Sequence, residues 1–203
     1  MSLLLPGERR FRWLEVFLAI VVVLSLCALG CATPRAHAHA APSLFTAARL
    51  EARRPAPAVR GNGASEDAAF VERALHDAGF RFGTDGSTRA LWGYLRTSHR
   101  LVDATDAHPG DILFFDTRGV APVPECADRA GIVESVATDG RITFVEARDG
   151  RVRHSFVDPA RPADRRDAQG EILNSFLRPI RIDDPPGARY FAGEMLCGVA
   201  RAL

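Results

Sequence analysis

At 203 residues the chain is long enough for one well-buried domain with a short appendage, and too short for two ordinary domains. Its 26 basic and 25 acidic side chains leave a formal net charge of +1, so no global field steers it toward nucleic acid or an anionic surface. Arginine supplies every one of the basic residues, and runs such as Arg165-Arg166 read as solvated loop rather than as a binding patch.

Residues 1–31 read as an export segment. Arg9, Arg10 and Arg12 make a basic start, and Val16 to Gly30 is an apolar run of the length of a signal-peptide core, short for a membrane span. Gly30-Cys31 resembles the box at which bacterial lipoproteins are cleaved and lipidated on the new terminal cysteine, with Ala28 where leucine is usual. Ala38-His39-Ala40 offers a second cleavage point by the small-x-small rule, and an uncleaved anchor is the third outcome. Each outcome places the domain outside the cytoplasm, and lipidation at Cys31, with attachment to a membrane through that lipid, is the expectation taken forward. Cys27 then belongs to the export segment, which leaves Cys126 and Cys197. An even pair in an oxidising compartment permits one disulfide and carries no metal or redox spacing.

Residues 32–63 are rich in Ala, Pro and Arg, lack periodicity and read as a flexible tether. His37 and His39 within it lack the third ligand that a metal site needs. Order is expected from Ser65, an N-cap followed by Glu66 and Asp67 where the helix dipole favours acid. Phe70, Val71, Ala74, Leu75 and Ala78 form one face, and Gly79 is the stop. Ser87 opens a second helix with Leu91, Tyr94 and Leu95 as its buried stripe and Trp92 nearby. His76 and His99 read as surface residues.

Strand signals then take over. Pro109-Gly110 is a turn into Asp111–Thr117, and His108 before it is a loop residue. Gly131–Thr138 and Arg141–Ala147 are joined by Asp139-Gly140, a strong hairpin signal. Asp149-Gly150 leads into a further strand, Arg151–Val157. A polar loop from Asp158 to Glu171 follows, then "ILNSFLRPIRI", a Pro-rich turn at Asp183–Gly187 and a last helix from Tyr190 with Phe191, Met195, Leu196, Val199 and Leu203 on one face. Helices ahead of an antiparallel sheet define an α+β domain over 64–158, with 159–203 packing on it as a helical extension.

A helix, "PGDILFF", a loop, "RAGIVESV", a DG turn and "TFVEA" in this order resemble the NlpC/P60 superfamily and its CHAP relatives. The resemblance covers Ser65 to Val157 and implies a papain-like fold. Such enzymes cut cell-wall peptides with a cysteine at a helix N-terminus, a histidine on the first hairpin strand and a polar orienting residue on the next. The helix dipole and the imidazolium depress the thiol pKa, and the third group holds the ring. Aligned on Phe70-Val71, Asp67 stands where the cysteine belongs, or Ala68 if one residue is deleted. Aligned on Gly131-Ile132-Val133, Arg129 replaces the histidine, and Glu146 takes the third position.

With all three positions changed and the apolar words intact, the expectation is a catalytically degenerate member at the cell envelope that binds wall peptide or an envelope protein without cleaving it. With a two-residue turn at Asp139-Gly140, Val133 faces Glu146, so Arg129 shares the face of Glu146 but lies about four residues away along it. The old active site is then a polar, charge-compensated groove. The alternative is an active cysteine peptidase or amidase with a rearranged site at Cys197 or Cys126 and His154 as base, since an arginine cannot deprotonate at working pH. Asp111, Asp116, His108 and His154 show no metal-ligand spacing, and no cofactor motif is present.

Overall fold

Ser65 and Ser87 are the two positions where the chain turns from irregular backbone into helix. Each sits in extended conformation and accepts, through its side chain, the N–H of the residue three further on. The computed structural model describes residues 43–51, 53, 65–80, 87–118 and 128–202. The expected export segment, Cys31, His37, His39, Cys126 and most of the expected tether lie outside them. The described residues all belong to one compact unit, Ala41–Leu203. No helix among them is long and apolar enough to cross a membrane.

The helices are α1 (Leu44–Glu51), α2 (Glu66–Asp77) and α3 (Thr88–Thr97). α1 corrects the tether expectation, because Ala47 and Ala48 are fully buried in the core. α2 starts at Ser65 and ends where Gly79 takes a φ of 83°, as its cap and stop residues predict. In α3 the expected stripe shifts by a side chain: Trp92 is buried beside Leu91 and Leu95, whereas Tyr94 is 40 % exposed. Trp92 has a flat neighbour to pack on, since a Cβ at Gly198 would sit 2.4 Å from its ring.

The strands are β1 (Leu101–Val102), β2 (Ile112–Phe115), β3 (Arg129–Val136), β4 (Ile142–Arg148), β5 (Arg151–Val157) and β6 (Leu196–Ala200). They form one antiparallel sheet in the order β1-β6-β2-β3-β4-β5. The fold class is therefore mixed α+β, as the order of the sequence signals implies. The helix expected from Tyr190 is the clear error. Only Ala192–Met195 is helical (α4), and the chain then enters the sheet as β6, between β1 and β2. Val199 and Ala200 are buried on opposite faces of that strand, a period of two that a helical reading of the segment overlooks.

The alternation of β-strand side chains divides the core into two layers. Phe114, Ile132 and Val145 point to the face covered by α1, α2 and α3. Leu113, Val133 and Phe144 point to the other face, which is closed by Leu177, Ala192 and Met195 from the C-terminal segment. Residues after Asp158 therefore complete the core as well as the sheet.

The hairpin between β3 and β4 departs from the expected register. Ala137 donates its N–H to Arg141 O, so the loop holds three residues, with Gly140 at a φ of 88°. A bulge at Glu134 adds a further step, so that Val133 faces Phe144 and Ile132 faces Val145. Val133 does not face Glu146. The two one-residue shifts cancel in facing and add in translation, which slides Glu146 two residues closer to Arg129.

Candidate functional site

The site forms where the N-terminus of α2 meets the start of β3 and the β4–β5 turn. Ser65 Oγ caps the helix at Ala68 N and lies 3.2 Å from Thr88 Oγ1, tying the starts of α2 and α3 together. Glu66 Oε2 accepts the N–H of Gly150 at 3.0 Å, which fixes the β4–β5 turn over the helix end. Asp67 is buried, and its Oδ2 accepts the N–H of Ala130 at 2.5 Å. Burial pushes its carboxyl pKa above the usual aspartate value; the hydrogen bonds from Ser65 and Ala130 and the charge of Arg129 oppose this without cancelling it.

Glu146 sits on β4, also buried, on the face away from the helices. Ser155 Oγ donates to its Oε1 at 2.7 Å, Arg148 Nη2 stands 3.6 Å from Oε1, and Arg129 Nη1 stands 4.0 Å from Oε2. Because Ile132 faces Val145, Arg129 is only one same-face step from the position opposite Glu146, a distance its side chain covers. Asp67, Arg129 and Glu146 are thus brought to one end of the sheet, Asp67 from the helical layer and the other two from the strands. Arg148 and Ser155 complete the cluster. The i, i+2 spacing of Glu146 and Arg148 on one strand was the sequence signal for the first; nothing in the sequence singled out Ser155.

Two clefts open here. One, of about 370 Å³, is polar and is lined by Ser65, Asp67, Thr117, Asp128 and Arg129 among others. The second, of about 510 Å³, is walled by Phe176, Leu177, Pro179 and Ile180. Arg129, Arg148 and Asp149 line both. The rim is held by Asp128, whose carboxylate accepts Thr117 N and Thr117 Oγ1, each at 2.8 Å.

The other residues weighed for chemistry are engaged elsewhere. Asp111 accepts His108 N and is paired to Arg201, which stabilises the Pro109-Gly110 turn. Asp116 is buried between Arg118 and Arg189; burial raises its pKa, but the hydrogen bonds from Arg118 and the charges of both arginines bring it below the usual carboxylate value. His154 Nδ1 pairs with Glu134 Oε2 at 2.8 Å. No group of three or more metal-capable side chains occurs among the described residues. Cys197 is disulfide-bonded, and it lies at the irregularity where the β2–β6 register shifts, rather than at the start of a helix.

Fold and site together define a mixed α+β domain with a half-polar, half-apolar cleft at a helix N-terminus. No family model, no curated protein and no solved structure matches this chain.

Proposed function

We propose that the chain is a catalytically degenerate NlpC/P60-like domain of papain-like type. In this reading it is exported and lipid-anchored at Cys31, and it binds cell-wall peptide or an envelope protein without cleaving it. The observation that carries this reading is the convergence of Asp67, Arg129 and Glu146. They occupy the helix N-terminus and two neighbouring strands from which such enzymes supply nucleophile, base and orienting group. No thiol stands at any of the three positions: Asp67, which accepts the N–H of Ala130, takes the place of the cysteine, and an arginine in place of the histidine cannot serve as a base. A groove that keeps its shape and polar lining after losing its nucleophile remains a binding surface. Support against the active alternative comes from Cys197, whose sulfur is oxidised and is no nucleophile in that state.

Co-sedimentation with insoluble cell wall tests the binding half. The protein pellets with wall if the cleft binds wall peptide. If it stays in the supernatant at every wall concentration, wall peptide is excluded as the ligand and an envelope protein becomes the reading to pursue.

A further inference from the structure

Among the described residues the Arg129 guanidinium makes no hydrogen bond; its ion pair with Glu146 is long, at 4.0 Å, and its charge also acts on Asp67. Its side chain is 29 % exposed and lines both clefts. Arg148 beside it is more committed: Nη1 donates to Phe176 O at 2.8 Å, while Nε is buried with no partner. An unused planar fork of N–H donors at a partly dry site matches a planar, bidentate acceptor such as a carboxylate.

The lining adds the rest of the ligand. Arg129 and Arg148 stand at the junction of the two clefts, with Phe176, Leu177, Pro179 and Ile180 on one side. Ile180 is 66 % exposed, an apolar side chain left to solvent at the mouth. The opposite side is polar, lined by Ser65, Asp67, Thr117 and Asp128. A free apolar acid would fill only the first half, whereas a peptide uses both.

We propose that the cleft captures the free C-terminal carboxylate of a peptide: the carboxylate on Arg129 with support from Arg148, the apolar last side chain against Phe176 and Ile180, and the preceding backbone along the polar cleft. This deepens the binding reading above and rests on it, since it requires an open groove without turnover. The apolar lining sets the preference for the last residue, and the fork sets the requirement for an ionised terminus.

The test is calorimetric titration of the full chain, held in detergent, with acetyl-Ala-Leu-Phe as the free acid and as its C-terminal amide. The proposal expects the acid to bind at least about tenfold more tightly than the amide, a preference that shrinks with added salt. Arg129→Gln abolishes the preference. Arg129→Lys, which keeps the charge but not the fork, weakens acid binding several-fold; unchanged thermal unfolding of either variant shows that the fold is intact. Equal binding of acid and amide overturns the proposal, as does no binding of either or full retention of the preference in Arg129→Gln. Wall co-sedimentation separates this from the broader reading. Wall retention that survives Arg129→Gln leaves the binding domain standing and removes the carboxylate site. Acid-selective binding without wall retention does the reverse.

Discussion

At the scale of single residues, Asp67 shows how one position exchanges chemistry for structure. Its carboxylate satisfies the buried N–H of Ala130, so Asp67→Ala leaves that donor orphaned and is expected to cost about 1–3 kcal/mol in denaturant unfolding. The same burial gives a distinct pH signature. Because the folded pKa is raised above the unfolded value of 3.8, the native state binds more protons than the unfolded chain between the two. The contribution of Asp67 is therefore fully favourable below that unfolded value and is lost as pH rises through the folded one. Asp67→Asn removes this loss, so unfolding curves taken from acid to neutral pH should show the variant gaining on the wild type as pH rises. A constant offset would mean that Asp67 does not titrate differently in the fold. Gly198 is the second test at this scale. With Trp92 pressed against it, Gly198→Ala forces an overlap expected to cost about 1–3 kcal/mol, and an unchanged melting temperature would mean that the ring moves freely.

At the scale of elements, the helix starts and the strand at Arg151–Val157 were legible because each depends on short-range signals: Ser65 and Ser87 as caps, Gly79 as a stop, alternation between turns. The hairpin register was not. The Asp139-Gly140 dipeptide announces a turn but does not fix whether the loop holds two or three residues, and no residue type near Glu134 marks a bulge. Those two irregularities place Arg129 within reach of Glu146. The face shared by the two residues could be read from parity alone, while their separation depended on events several residues away. β6 failed for a related reason. "FAGEMLCGVA" supports a helical stripe about as well as a strand, and only the place vacant between β1 and β2 decides between them. Tyr94 and Trp92 exchanged roles because the partner that buries Trp92, Gly198, lies on that misread strand.

At the scale of the whole molecule, the C-terminal segment ties the fold together. β6 lies inside the sheet, and Leu177, Ala192 and Met195 cover one of its faces, so a chain ending at Tyr190 is expected to fail to fold and to aggregate. A soluble, cooperatively melting truncation would show that the segment is dispensable. The disulfide at Cys197 adds a covalent tie on the same strand; its reduction should lower unfolding stability by about 2–4 kcal/mol. The central claim is that this architecture holds a binding groove in which the chemistry has been replaced. Its most direct test is mass spectrometry of purified cell-wall peptides incubated with the wild type and with a Cys126→Ser, Cys197→Ser variant, each with and without reductant. The account predicts intact peptides in every case, whereas fragments formed by the reduced wild type and absent with the serine variant would contradict it and place an active thiol in this fold.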